Sequence, residues 1–460
     1  MSRIGAEPVP SLLGARTAPG AAPKAPPGGL SVDARSPPRT YESSCSCPRF
    51  LLPQTVLALR AMLPRPQPGG SQCRRGLRAP DAQEFARALL QWHRRGFPEL
   101  GDQGGCGMGR ATARVLDDPA FLQNPRAAAR RAWETTGRCL APNGALMRAA
   151  ATGVRGRAFA ACDAATIAEV THADPRSTAA CVAVATAASL MLDGFGRNAA
   201  GGWDVAAVAE RALAAAEPFL LEDSALGEAA PQVWACSACT MENEPAATQC
   251  MICETPRPAE GAGTVNAGFG GGWTQAEASQ HAYSRAVAME QLRAALLGEE
   301  WPGKRLDGPL MGYVNTCLGA AFGSLRDACR GGRLDAGSFC EAVHRLTMAA
   351  GDADTNAAVA GALLGCAAGA KALPGAWLRA CPHLAWLERI ADQLVEAAAA
   401  EEFAATAPSA EAPAREAPSG AALAEEALLA EAAPRDPAAR RKRRCDCVAG
   451  LRRLLSSRPR

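Results

Sequence analysis

The chain has 460 residues, a formal net charge of +3, 48% hydrophobic residues and only 5% aromatic residues. A net charge this small for the length excludes a protein that binds nucleic acid through its overall field, and no uncharged run reaches the roughly 20 apolar residues of a membrane span. Outside one cluster the cysteines show no disulfide framework, which indicates an intracellular compartment, the nucleus or the cytoplasm.

The two ends of the chain have biased compositions. Residues 1–44 are rich in Pro, Ala, Gly, Arg and Ser, which predicts a disordered tail, with an organelle transit peptide as the alternative. Residues 399–460 form a low-complexity Ala/Glu/Pro tail that closes with the basic run Arg440–Arg444. That run predicts either nuclear targeting or a solvated charge cluster.

Between the tails, apolar residues recur at helical spacing. Examples are "VLALRAML" (56–63), "DAQEFARALLQWHRR" (81–95) and "DVAAVAERALAAA" (204–216). Alanine supplies much of the apolar content, and alanine-rich stretches with few β-branched residues favour helices. We therefore predict an all-α domain in two parts, residues 45–225 and 273–398.

The segment between the two parts holds two C-x-x-C pairs, in "WACSACTMENEPAATQCMIC" (234–253). Four thiolates in two short chelating loops suit a tetrahedral structural zinc ion, with zinc–sulfur distances of about 2.3 Å. Free buried cysteines are the alternative, which this double spacing disfavours. The predicted zinc ligands are Cys236, Cys239, Cys250 and Cys253.

The same segment resembles a zinc finger of the Ran-binding-protein type over residues 231–257, through Trp234 and Asn243. RNA-binding members of that family carry arginines after the Asn, but the loop here is "EPAATQ" (244–249), without a cation. The resemblance therefore implies ubiquitin as the partner, through Thr240, Met241 and Ile252, with a purely structural knuckle as the alternative. Residues 258–272 are glycine-rich and predict a flexible linker.

Two carboxylates and a hydroxyl open the apolar segment "GDADTNAAVAGALLG" (351–365). Asp352, Asp354 and Thr355 can all point past the amino end of a helix. A helix cap needs only one such residue, and two neighbouring acids repel each other unless a cation lies between them. Oxygen ligands of this kind suit magnesium or manganese.

This segment resembles the ADP-ribosylglycohydrolase family, whose metal site uses Asp-x-Asp-Thr. Five further blocks in the family's order carry the resemblance across residues 92–394: "GDQGGCGMG" (101–109), "APNGALMRAA" (141–150), "THADPRSTAACVAVATAASLML" (171–192), "MGYVNTCLGAAFGSLRDA" (311–328) and "LPGAWLRACPHLAWLERIADQL" (373–394). The resemblance implies a glycohydrolase-like helical domain interrupted by the finger, with ADP-ribosylated proteins or ADP-ribose as partners. The substrate contacts it implies are Gly104, Gly105, Gly107, Gly109, Asn143, Gly144, Met147, Arg148 and His172.

One part of the family's pattern is missing. The family's binuclear site also takes a Thr-Asp-Asp-Thr stretch at an early helix and an upstream glutamate, whereas this chain has no carboxylate between Glu42 and Asp81. The resemblance then implies a single weak magnesium site at Asp352, Asp354 and Thr355, and leaves the catalytic residues unassigned. Three interpretations stay open: a hydrolase of ADP-ribosyl groups, a catalytically deficient adaptor that binds ADP-ribose and ubiquitin, or an amino end that is not the natural one.

Overall fold

The computed structural model describes most of the region between the predicted tails. Residues 1–44 lie outside the described ranges, and so does the tail at 399–460, apart from a helix that continues to Thr406. All described residues belong to one compact unit within Cys47–Arg460. The described ranges are 52–65, 76–101, 104–105, 108–221, 234–235, 242–243, 249, 264–266, 272–274, 282–298, 306–308, 310–332, 334–381 and 383–406.

The described chain is helical, which confirms the all-α fold class. Short 3-10 turns connect several helices. The one over Asn143–Arg148, where the sequence predicts substrate contacts, is called the substrate turn. The helices are α1 (Leu52–Met62), α2 (Ala82–Arg95), α3 (Arg110–Leu116), α4 (Pro125–Glu134), α5 (Ala149–Thr152), α6 (Arg157–Ala168), α7 (Pro175–Leu192), α8 (Val205–Ala216), α9 (Arg285–Leu297), α10 (Val314–Arg330), α11 (Ala336–Met348), α12 (Ala353–Ala368), α13 (Gly375–Ala380) and α14 (Leu384–Thr406).

Polar side chains start many of these helices. Asp81 accepts a hydrogen bond from the backbone N–H of Glu84 at 2.8 Å and so caps α2, as the pattern "DAQEF" indicates. Such a cap satisfies one of the backbone donors that the first turn leaves without a partner. The same arrangement starts α4, α7, α8 and α11 at Asn124, Asp174, Asp204 and Asp335.

Helix α7 is the centre of the fold. It packs against α5, α6, α8, α10 and α12, so that nearly every side chain along it is buried. Among the described residues it is the one helix long and apolar enough for a membrane span, yet 94% of that 18-residue window is buried against its own neighbours. A helix that is apolar all round is typical of a protein core as well as of a bilayer.

The two helical parts of the chain share one hydrophobic cluster. Ala183 and Leu213, from the first part, belong to the same cluster as Phe322 and Leu363, from the second. A smaller cluster joins α1 and α2 to the face of α14 that carries Ile390. Residues that stand far apart in sequence, on either side of residues 222–281, therefore bury each other's apolar surface.

Between the helical parts, the structure describes four short antiparallel strands in the order β2-β1-β3-β4. Trp234 pairs with Asn243, and Ala235 pairs with both Glu242 and Thr264. The composition of residues 258–272 predicts a flexible linker, but two of the strands lie in this segment or at its edge. Thr, Val and Trp next to the glycines favour this extended pairing. The strands are β1 (Trp234–Ala235), β2 (Glu242–Asn243), β3 (Thr264–Asn266) and β4 (Gly272–Thr274).

The turn before α12 has a left-handed backbone. Ala350 has φ 59° and Gly351 has φ 66°. A Cβ on Gly351 would stand 1.9 Å from the carbonyl oxygen of Leu306, closer than any van der Waals contact allows. Glycine is therefore required by both conformation and space, and it sets the position from which Asp352 starts α12.

Replacing Gly351 with alanine is expected to lower the free energy of unfolding by about 1–3 kcal/mol or more, because the turn would be strained and displaced from Leu306. The matched control is Gly361→Ala on the same helix, where a Cβ would meet no atom within 4 Å. That change should stabilise the protein by about 0.5–1 kcal/mol. Urea unfolding of both variants measures the difference, and equal effects would contradict this account of the turn.

Candidate functional site

The acidic turn at the start of α12 does not use its first acid as a helix cap. Asp352 stands at the cap position, but its carboxylate accepts none of the first-turn backbone N–H groups. Its Oδ1 atom accepts from the hydroxyl of Thr355 at 3.1 Å. Asp354 Oδ1 accepts from the backbone N–H of Thr355 at 2.9 Å. The turn thus gathers two carboxylates and a buried hydroxyl.

A side chain from the substrate turn reaches the acidic turn. Asn143 Nδ2 donates to Asp352 Oδ2 at 2.7 Å, across 209 positions of sequence. Asn143 is itself buried, and its backbone N–H donates to the carbonyl of Gly312 at 3.0 Å. Two of the predicted site regions, the acidic turn and the turn of Asn143, are therefore in direct contact.

Burial makes the acidic turn electrostatically unfavourable. Desolvation, together with the hydrogen bond and the charge of neighbouring Asp354, raises the pKa of Asp352 to about 6. The hydrogen bonds from Asn143 and Thr355 act in the opposite direction but do not offset the burial. Two carboxylates at this spacing are stabilised either by a proton or by a cation.

On another side of the substrate turn, α1 contributes neutral side chains. Thr55 donates its hydroxyl to the carbonyl of Met147 at 3.3 Å. Buried Gln54 accepts from Arg148 Nη1 at 2.6 Å. Within the described ranges, no group of three or more His, Cys, Asp or Glu side chains is placed to hold a metal ion. The first turn of α1 thus adds an amide and a hydroxyl, and no carboxylate.

Arg148 is fully buried. Besides Gln54, its guanidinium donates to the hydroxyl of Thr171 at 2.6 Å and to the carbonyl of Ile167 at 3.2 Å, and its Cζ lies 5.3 Å from the ring centre of Phe85. Burial lowers the pKa of Arg148 to about 10, so the guanidinium stays charged at neutral pH. Carbonyl oxygens and an aromatic face, rather than a carboxylate, balance this charge.

His172 lies at the end of this hydrogen-bonded chain. Its Nδ1 atom is 2.7 Å from the hydroxyl of Thr171, and its buried Nε2 atom has no hydrogen-bond partner. Burial, and then the charge of Arg148, lower the pKa of His172 to about 3. The imidazole is therefore neutral throughout the ordinary pH range.

A small cleft of about 30 Å³ opens beside His172. Its walls are mostly apolar, and its polar lining comes from Arg114, Thr171, His172 and Asp174. Such a mixture is typical of small-ligand sites. The remaining lining residues are Ala111, Val115, Ala129, Ala132, Trp133, Leu140, Pro142 and Ala173.

Sequence reasoning selected His172 from this cleft but missed the residues around it. Trp133 Nε1 donates to Asp174 Oδ2 at 2.8 Å, and Arg176 donates to the same carboxylate at 2.6 Å. Asp174 is thereby fixed in the wall. The stretch "THADPR" contains most of this network, yet only tertiary contacts show that Trp133 joins it and that Arg114 lines the same cleft.

The predicted glycine contacts lie elsewhere. The backbone N–H of Gly105 donates to the carbonyl of His93 at 3.0 Å, next to Gly104, and Gly109 precedes α3. None of these three glycines lines the cleft. Gly107 and the finger residues Cys236, Cys239, Thr240, Met241, Cys250, Ile252 and Cys253 lie outside the described residues. Their predicted roles stay predictions.

Comparison with known proteins identifies the family of this chain. The family model described as ADP-ribosylglycohydrolase matches residues 54–403. The chain belongs to the ADP-ribosylglycohydrolase family. Among solved structures, one titled ADP-ribosylglycohydrolase-related protein complex matches with 19% identity and a TM-score of 0.38, over 77% of this chain and 96% of that one. No curated protein matches.

Membership of the ADP-ribosylglycohydrolase family supports a hydrolase-type function and ADP-ribosylated substrates. The match begins at Gln54, in the first turn of α1, and it includes both the acidic turn and the substrate turn. Within the matched segment, the neutral amide of Gln54 accepts a hydrogen bond from the buried cation Arg148 at the end of that turn.

Removing the charge of Asp352 is expected to stabilise the metal-free protein at pH 7.5. Because the folded pKa of about 6 lies above the unfolded value near 3.9, the ionised carboxylate destabilises the fold above pH 6, and the cost disappears as the pH falls towards 4. Asp352→Asn should therefore raise the free energy of unfolding by about 1–2 kcal/mol at pH 7.5 and leave it unchanged near pH 4.

Chemical denaturation in the presence of a chelator, at both pH values, measures this difference. The control is Glu341→Gln, an exposed acid on α11 paired with Arg345, which should show little change at either pH. A destabilised Asp352→Asn protein at pH 7.5 would contradict the electrostatic account.

Proposed function

We propose that this protein binds ADP-ribosyl groups on proteins and hydrolyses them slowly or not at all, with one magnesium ion at Asp352, Asp354 and Thr355. The contact between Asn143 and Asp352 carries the proposal, because it joins the substrate turn to the acidic turn at hydrogen-bond distance. Both turns belong to the segment that matches the family.

The acidic turn fits one hard cation. Its donors are carboxylate and hydroxyl oxygens, and magnesium commonly takes one or two carboxylates while it keeps several waters. The raised pKa of Asp352 supports this fit, since a bound cation would relieve the repulsion that burial intensifies. A divalent cation at this turn would supply charge stabilisation and a more acidic bound water.

The surroundings do not fit a second cation. Two divalent ions would bring four positive charges, and the described turn offers two carboxylates. At the end of the substrate turn, the guanidinium of Arg148 is hydrogen-bonded to the neutral amide of Gln54. Neither group supplies negative charge for a cation. Without a second ion the ribose and the attacking water lose part of their shared template, which we expect to cost several kcal/mol in the transition state.

Turnover of ADP-ribosyl-arginine and ADP-ribosyl-serine peptides by this chain is expected to fall well below the order of 1 s⁻¹ at which ordinary enzymes begin. ADP-ribose itself should still bind, as measured by calorimetry in magnesium buffer. Asp354→Ala should abolish the magnesium-dependent rise in melting temperature, whereas Asp117→Ala, an exposed acid after α3, should retain it. Ordinary rates would contradict the single-ion account, and absence of ADP-ribose binding would contradict the ligand.

We further propose that the segment around β1 and β2 is a zinc finger that recognises ubiquitin. The backbone pairing of Trp234 with Asn243 supports this, because it closes a hairpin around the first C-x-x-C pair. A thiolate cage would stabilise so small a unit, which has little apolar core of its own. Met241 offers an adaptable apolar contact for a protein partner.

The full chain is expected to carry one zinc ion and to bind ubiquitin weakly. Cys236→Ser should remove the zinc and the ubiquitin binding together, while Met241→Ala should remove only the binding. Cys162→Ser, at an exposed cysteine of α6, is the control. Metal analysis and ubiquitin titration give the two readouts, and a zinc-free wild-type protein would reject the finger.

A further inference from the structure

A chain of buried polar groups ends at the wall of the cleft. Gln54 bonds to Arg148, Arg148 to Thr171, and Thr171 to His172 Nδ1, with every contact between 2.6 and 2.7 Å. The last atom, His172 Nε2, is buried and unpartnered, and the residue His172 lines the cleft. A buried polar atom without a partner carries a desolvation cost that a bound ligand can relieve.

The donors and acceptors along this chain fix where each proton lies. A guanidinium only donates, so Thr171 Oγ1 must accept from Arg148. The hydroxyl hydrogen of Thr171 then needs an acceptor, and His172 Nδ1 is the acceptor within reach among the described residues. An Nδ1 atom that accepts leaves the imidazole proton on Nε2.

We propose that Arg148 and Thr171 are positioning residues that hold His172 as the Nε2–H tautomer, so that His172 presents a hydrogen-bond donor to an acceptor atom of the ligand in the cleft. Such an acceptor is a phosphate oxygen or a ring nitrogen of a base. The identity of the ligand rests on the proposed function, whereas the tautomer is a property of the free protein.

The charge of Arg148 reinforces this assignment. A guanidinium at the far side of Thr171 opposes a second positive charge on His172, and burial acts in the same direction. His172 therefore donates one hydrogen bond as a neutral group, without the attraction that an imidazolium would have for any anion. Recognition at this point depends on the position of an acceptor atom rather than on net charge.

Gly144 of the substrate turn lies next to His172 Nε2. A Cβ on Gly144 would stand 3.2 Å from His172 Nε2 and 3.5 Å from Thr112 Oγ1. The missing side chain thus keeps open the face on which an acceptor must approach. A ligand that presents only an N–H donor at this position would leave the Nε2–H group unpaired and be rejected.

Nitrogen NMR of the full chain tests the tautomer directly. The chain has five histidines, so histidine labelled with ¹⁵N gives a spectrum in which His172→Gln identifies the missing signals. We expect a protonated-type signal for Nε2 and an unprotonated-type signal for Nδ1 of His172. The opposite pattern in the wild-type protein would overturn the proposal.

Substitution of Thr171 separates the relay from simple packing. Thr171→Val keeps the shape but removes the hydroxyl, and it should convert His172 to a mixture of both tautomers. Thr171→Ser restores the hydroxyl and should restore the wild-type signals. A Val variant that folds and retains the wild-type pattern, or a Ser variant that does not recover it, would contradict the role of Thr171.

ADP-ribose is the probe for the ligand half of the proposal. Its addition should shift the Nε2–H signal of His172 in the wild-type protein, and the shift should be lost in Gly144→Leu, which fills the approach. If ADP-ribose binds elsewhere and His172 does not respond, the assigned recognition is wrong. If ADP-ribose does not bind at all, the proposed function fails while the tautomer stands or falls on the spectrum of the free protein.

Discussion

The hydrogen bond from Asn143 to Asp352 is the contact on which the site depends. It joins the two parts of the chain, since Asn143 precedes the central helix α7 and Asp352 starts α12. The turn before each residue is held separately, by the backbone bond of Asn143 to Gly312 and by the close approach of Gly351 to Leu306. The shared hydrophobic cluster around α7 holds both turns in place. Two side chains that are far apart in sequence can therefore meet at 2.7 Å.

The carboxylates and the buried guanidinium near this contact are stabilised in different ways. The acidic turn is left with two carboxylates whose repulsion is not balanced by a cationic side chain, as the raised pKa of Asp352 shows. Arg148 is a buried cation balanced by an amide, a hydroxyl, a carbonyl and an aromatic ring. A proton or a cation would relieve the repulsion in the first arrangement. In the second, protein groups contact the guanidinium, but its buried Nε atom has no hydrogen-bond partner among the described residues.

The regular spacing of apolar residues in the sequence predicts several of the helices. Asp81 and Asp204 cap helices whose apolar spacing is regular, and the Asp-x-Asp-Thr turn was recognisable because both acids stand within four residues. The relay through Thr171 was not recognisable from the sequence. Arginine is rarely buried, and no local pattern indicates that Arg148 is buried. The strands at residues 264–266 and 272–274 were not predicted either. Strand pairing depends on tertiary context, and the glycines of this segment favoured the prediction of a linker.

The position of Gln54 connects the fold to the chemistry. A carboxylate in the first turn of α1 would face Arg148 directly, and the resulting buried ion pair would lower the affinity of that carboxylate for a cation. The amide instead accepts one hydrogen bond from Arg148 and leaves the guanidinium free to polarise Thr171. The neutral amide in the first turn of α1 and the donor tautomer that we propose for His172 are therefore compatible features of one hydrogen-bonded chain. In the function that we propose, a cation at the acidic turn would compete with protonation of Asp352, and His172 would contact the ligand without a change in its own charge.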